Sequence, residues 1–214
     1  MSEVVSIRGD GAEAARAALE RTIAAGGVAI FPADGLYGLA CDPLSVVAID
    51  RVHGIKGRDE GKPSAVMYFS PLAMRELVEE LGPRTREAVG ALLPGPVTLV
   101  IDNPKERYPL ACREDRRRLG VRLIDGPLAG AMCPVFQTSA NVSGEWAPRE
   151  FGEIDTAVLA AVDLAIDGGR LTGLPSTVID LTSFDEAGQW EVLREGGLSG
   201  GDLTARLTAI GETD

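Results

Sequence analysis

Directly after the glycine pair Gly26-Gly27, the run Val28-Ala29-Ile30-Phe31 is apolar at every position and is closed by Pro32. A strand with water on one face alternates apolar and polar residues, so an unbroken run of this kind marks a strand buried on both faces. Further buried-strand candidates lie at Val97 to Ile101, Gly120 to Leu123, Pro134 to Gln137, Leu164 to Ile166 and Thr177 to Leu181. Strands covered on both sides need helices to cover them, and helical spacing appears over Asp10 to Ala25 and near 45–54, 70–81, 84–92 and 150–161. In the first helix Ala14, Ala15, Ala18, Leu19 and Ile23 share one face, with Asp10 as the predicted N-cap and the glycine pair as the stop. Ser70-Pro71 supplies a capping side chain followed by a proline at the first helical position. The predicted fold is α/β, a twisted mixed sheet with flanking helices. Glycine and proline cluster beside strand ends and no repeat or low-complexity tether interrupts the chain, so residues 1–214 read as one domain.

Charge and cysteine content narrow the function classes. Lys plus Arg number 21 against Asp plus Glu at 32, a balance of 21 − 32 = −11, which argues against a protein that coats polyanions. The charge is uneven: from Pro104 to Arg122 seven basic residues face three acids (+4), while from Glu150 to Asp214 three face thirteen (−10). Such asymmetry reads either as a solvated surface or as an anion site on an otherwise acidic protein. Cys41, Cys112 and Cys133 are odd in number and form no CxxC or Cys/His cluster, so neither a disulfide framework nor a bound metal is predicted. No signal-like or membrane-length apolar segment is present, and the expected setting is the cytoplasm, away from membranes.

Four segments carry polar chemistry. His53-Gly54-Ile55-Lys56-Gly57-Arg58-Asp59-Glu60-Gly61-Lys62-Pro63 sets cations among glycines, a composition suited to phosphate but spaced neither as a Walker loop nor as a dinucleotide turn. Gln137-Thr138-Ser139-Ala140-Asn141-Val142-Ser143-Gly144 follows an apolar strand, at whose carboxyl end open α/β sheets bind ligands. Gly173 to Asp180 is a second polar turn entering a strand, and Leu193-Arg194-Glu195-Gly196-Gly197 ends a late strand with an arginine before glycines. Each of these is equally compatible with an exposed loop or a self-satisfied turn. His53 is the single histidine and has no assignable carboxylate partner, so catalysis by positioning and charge neutralisation, as in phosphoryl or nucleotidyl transfer, suits the chain better than a histidine triad.

Seven segments occur in the order found in the YrdC/Sua5 family of threonylcarbamoyl-AMP synthases, which the chain resembles over about residues 26–197. They are Phe31 to Asp42, against the family's P-T-x-T-x-Y-G-L-x-x-D; Lys56-Gly57-Arg58 with Lys62-Pro63; Leu93 to Thr98; Gly120-Val121-Arg122; Ser139 to Gly144; Pro175 to Asp180; and Leu193 to Gly196. The resemblance implies one domain with a cationic concave cavity that takes ATP, L-threonine and bicarbonate and makes threonylcarbamoyl-AMP for tRNA N6-threonylcarbamoyladenosine (t6A). By residue-wise carry-over, Lys56 and Arg58 are catalytic and, with Arg194, neutralise triphosphate charge. Ser139 and Asn141 orient the nucleotide, Lys62 and Ser143 are further ATP contacts, Arg122 grips the amino-acid carboxylate beside Ser176, and Tyr37 and Ser139 contact substrate. Mg²⁺ rides with the phosphates, and tRNA or t6A-complex proteins are transient partners.

The first motif departs from the family pattern, with Ala33 and Gly35 where the family has threonines and with Asp34 adding negative charge beside the carboxylate subsite. A lost hydroxyl removes a hydrogen bond of about 1 kcal/mol or selects a different amino acid. Two alternatives follow: adenylation of carbamoyl or another amino-acid carbamate, as in hydrogenase-maturation carbamoyltransferases, or a non-catalytic RNA- or nucleotide-binding module of the same fold.

Overall fold

A computed structural model of the chain describes residues 2–57 and 63–211. Among the described residues ten strands follow one another: β1 (Glu3–Ser6), β2 (Ala29–Ala33), β3 (Leu36–Cys41), β4 (Ala65–Tyr68), β5 (Val97–Asp102), β6 (Arg118–Leu123), β7 (Val135–Ser139), β8 (Leu164–Asp167), β9 (Thr177–Asp180) and β10 (Glu191–Arg194). They form one mixed sheet in the order β1-β8-β2-β3-β7-β4-β6-β5-β9-β10. The pairs β1/β8, β2/β8, β4/β6 and β5/β9 are parallel and the rest antiparallel. Among the described residues no helix is long and apolar enough to cross a membrane.

The pleat sends alternate residues to opposite faces, and the two faces are covered differently. Val97, Leu99 and Ile101 of β5 and Leu119, Val121 and Leu123 of β6 enter the larger core, packed with residues of the helices Val46–Lys56, Pro71–Glu79, Pro83–Leu92 and Gly200–Gly211. On the other face the helix Ala12–Ala24 seals Phe31, Met67 and Val135 into a smaller core. That helix leaves the rest of this face uncovered. Thr98, Val100, Gly120, Arg122, Gln137 and Ser139 line a cavity there instead.

The apolar runs read as strands all lie in the sheet, and Ser70 caps its helix by accepting from the Leu72 N–H at 3.2 Å. The first helix differs. Asp10 accepts from the Ser6 N–H at 2.8 Å and closes a separate turn, Ile7–Asp10, so Gly11, at φ 92°, rather than Asp10 is the N-cap of Ala12–Ala24. The stretch 150–161 divides into a 3₁₀ turn, Phe151–Glu153, and the helix Thr156–Ala161, because Asp155 caps the latter by accepting from Ala157 and Val158. Strands β1, β3 and β4 and the helix Gly200–Gly211 were not anticipated. A signal for β3 was present in Asp34-Gly35, a two-residue hairpin turn between apolar runs.

Candidate functional site

The cavity holds about 740 Å³, within the range of small-molecule sites. Tyr37, Arg122, Ser139, Asn141, Ser176 and Arg194 all line it, so six of the residues singled out in sequence, drawn from five separate segments, converge on one space. Arg58 and Lys62 lie outside the described residues.

Lys56 ends the helix Val46–Lys56, whose C-cap Gly57 takes the left-handed conformation at φ 57°. The side chain is buried, and its ammonium donates to the main-chain carbonyls of Ser139 at 2.6 Å and Asn141 at 2.8 Å, with longer contacts of 3.4 Å to Ser139 Oγ and Asn141 Oδ1. In return the Ser143 N–H donates to the Lys56 carbonyl at 2.9 Å. Asn141 Nδ2 donates to the carbonyls of Val142 and Glu145 and tightens the turn further. The ammonium thus builds the Ser139–Asn141 turn, and its charge stands behind the cavity wall. Ser143 is exposed and is not among the lining residues.

At the far side of the sheet, Arg194 reaches the cavity through an irregularity in β10, where the register to β9 shifts between Val192 and Arg194. A bulge re-aims a side chain in this way. Its Nη2 donates to the Ser176 carbonyl at 2.8 Å and contacts Ser176 Oγ at 3.1 Å, and Ser176 Oγ shares a 2.8 Å hydrogen bond with Thr98 Oγ1. Burial holds the Arg194 guanidinium below its ordinary pKa. Gly196 is required here because a Cβ would meet the Pro175–Thr177 backbone. Thr98 closes the segment Leu93 to Thr98, yet nothing in its own sequence context marks it as a site residue.

Arg122 extends from β6, its side chain only 6% exposed. Nη2 donates to Asp34 Oδ2 at 2.6 Å, Nη1 has a long 3.5 Å contact with Gln137 Oε1, and the buried Nε has no acceptor among the described residues. Burial lowers the pKa of Arg122, and burial raises that of Asp34 in spite of the guanidinium beside it. The charge that Asp34 adds to the first motif is therefore paired with the residue expected to hold a carboxylate.

Gly35 has a structural cause. The segment ahead of Ser176 crosses the hairpin, with the Gly173 N–H donating to the Gly35 carbonyl at 2.8 Å, and a Cβ at position 35 would overlap the Leu174 carbonyl. Restoring the family threonine by Gly35→Thr should destabilise the protein by roughly 1–3 kcal/mol through overpacking. Thermal denaturation should then show a fall of about 2–12 °C at 2–4 °C per kcal/mol for a chain of this size. An unchanged midpoint would show that the crossing segment yields freely.

Tyr37 forms wall rather than a free polar contact. Its hydroxyl donates to the Gly169 carbonyl at 2.7 Å and accepts from the Gly168 N–H at 3.0 Å, and burial pushes its pKa up to about 12. His53 is buried, stacks edge-on to Phe136 and contacts Arg113. The basic stretch before Arg122 is divided between surface and site. Lys105 and Arg107 pair with Glu80, and Arg117 pairs with Glu106, whereas Arg118 lines the cavity while pairing with Asp180.

Residues 21–196 match the Sua5/YciO/YrdC family model, which carries the description "Telomere recombination". A threonylcarbamoyl-AMP synthase from Xanthomonas euvesicatoria pv. vesicatoria (strain 85-10) is 34% identical over 154 residues, 69% of this chain and 82% of that protein. Sua5 of P. abyssi, solved in complex with L-threonine, superposes with a TM-score of 0.80 at 26% identity, covering 96% of this chain. This chain spans 60% of that P. abyssi protein. E. coli YciO superposes with a TM-score of 0.79 at 26% identity, over 95% of this chain and 100% of that one.

Proposed function

The chain belongs to the Sua5/YciO/YrdC family, and on that premise we propose that it is an L-threonylcarbamoyladenylate synthase, a nucleotidyltransferase acting on ATP, L-threonine and bicarbonate. The observation that carries this reading is that one cavity joins the Lys56-built Ser139–Asn141 turn to a buried guanidinium with an unsatisfied N–H. The first suits a nucleotide and the second a carboxylate.

The threonine nitrogen bonds to the carbon of bicarbonate, water departs, and a carbamate results. A carbamate oxygen then attacks the α-phosphorus of ATP, the bond from that phosphorus to the bridging oxygen breaks, and pyrophosphate leaves with the electron pair. Mg²⁺ enters as part of the substrate, MgATP. Charge grows on the departing oxygens, so fixed cations aimed there lower the barrier. Arg194 and Arg58 neutralise that charge, Lys56 adds its own from behind the turn, Lys62 is a further ATP contact, and Ser139 and Asn141 orient the nucleotide. Arg122 takes the amino-acid carboxylate beside Ser176, and Tyr37 shapes the wall. The product serves t6A formation on tRNA in the cytoplasm.

Purified protein given MgATP should release pyrophosphate only when both bicarbonate and L-threonine are supplied. Release that is indifferent to bicarbonate, or that needs a different amino acid, would overturn the assignment.

A further inference from the structure

The Asp34–Arg122 pair supports an inference that deepens the proposed function and rests on it. A guanidinium has five N–H donors in a planar fork. In Arg122 a single close hydrogen bond to Asp34 accounts for one corner, the Gln137 contact is long, and the buried Nε is unsatisfied. Arg122 is among the residues that line the cavity, so N–H groups of its fork that Asp34 does not engage can meet an acceptor supplied by a ligand.

Asp34 takes the left-handed conformation at φ 65° that its two-residue turn requires and that Asp tolerates better than most side chains, while burial works against its charge. Ala33 and Leu36, the strand residues flanking the hairpin turn, line the cavity, and Gly35 is anchored by the crossing segment. The carboxylate is therefore carried on a fixed turn. Arg194 adds like charge to the surroundings of Arg122, and the Asp34 carboxylate offsets it.

Two roles for such a carboxylate make opposite predictions. A competitor would occupy the guanidinium and have to be displaced by the substrate. A clamp would hold one corner and leave the others aimed at the cavity. The contact seen is a single 2.6 Å bond through Oδ2, not the two parallel bonds by which a carboxylate takes a whole guanidinium edge.

We infer that Asp34 is a positioning residue that clamps Arg122 by one corner, so that the remaining N–H groups receive the carboxylate of the amino-acid substrate and both carboxylates share one guanidinium.

The test is calorimetric titration of L-threonine into the full chain, with KM values for threonine and ATP measured separately. Asp34→Asn should weaken threonine binding and raise its KM by about 10-fold or more, as misplaced binding groups do, while the KM for ATP stays within about 2-fold. Asp34→Glu, which restores the carboxylate on a longer arm, should recover part of the loss. Unchanged or tighter threonine binding by Asp34→Asn would overturn the clamp, tighter binding being the signature of a competitor. If Asp34→Asn fails to fold, failure of Asp34→Glu to bind threonine more weakly than the wild type would overturn it equally. If Arg122→Gln loses threonine while Asp34→Asn keeps it, this inference alone falls. Should the wild type bind no threonine, or Arg122→Gln bind as the wild type does, the carboxylate site of the proposed function falls with it.

Discussion

Replacing Lys56 by methionine should reduce pyrophosphate release by at least about 100-fold and lower the thermal midpoint in the same variant, because displacement of a positioning group by an ångström suffices for such a loss. Methionine fills similar volume, so the change removes the ammonium without opening a large cavity. What is lost are two short charge-assisted hydrogen bonds, to the carbonyls of Ser139 and Asn141. Bonds to a charged donor contribute about 1.5–3 kcal/mol each, and relief from burying the ammonium offsets part of that. A net loss of about 3 kcal/mol corresponds to a midpoint roughly 6–12 °C lower. The joint effect distinguishes the arrangement observed from an ammonium that only faces phosphate, whose removal would leave stability intact. Full activity in the variant, measured by pyrophosphate release under saturating substrates, would remove Lys56 from the mechanism.

Arg122→Gln should raise the KM for L-threonine by roughly 30- to 5,000-fold, since truncating one partner of a buried charge pair costs about 2–5 kcal/mol in binding. The KM for ATP should move far less. The same change leaves the Asp34 carboxylate without its counter-charge. Breaking a buried pair from one side destabilises by about 3–5 kcal/mol, whereas removing both members is often close to neutral. Arg122→Gln combined with Asp34→Asn should therefore be more stable than Arg122→Gln alone while binding threonine no better. A double-mutant cycle read by denaturant unfolding measures that coupling. Additive stabilities would show that the pair seen in the structure is energetically irrelevant, and an unchanged threonine KM would remove the carboxylate role.

Much of this protein can be read without coordinates, and the reasons are local. Val28 to Phe31 declares a strand buried on both faces because no polar residue breaks it, and Ser70-Pro71 declares a helix start because capping needs only neighbours. Ser139, Asn141, Ser176 and Arg194 stand out as polar groups in turns beside apolar strands, and all four line the cavity. Strand β3 is harder to read, because its glycine and tyrosine interrupt the pattern and its hairpin signal is only two residues long. At Asp10 local propensity is overridden, since the carboxylate finds a nearer donor in Ser6.

The tertiary structure alone decided how those residues are used. Lys56 looked like a phosphate ligand in a glycine-rich loop, and folding directs it onto carbonyls more than eighty residues away. Gly35 read as a lost hydroxyl, and it is the space taken by the Leu174 carbonyl. Asp34 and Arg122, 88 residues apart, become partners only when the hairpin and β6 lie on the same wall. Residue types, strand burial and caps follow from interactions among near neighbours, which a sequence contains. Hydrogen-bond partners, charge compensation and excluded volume depend on which distant segments the sheet order brings together, and that order is a property of the whole chain.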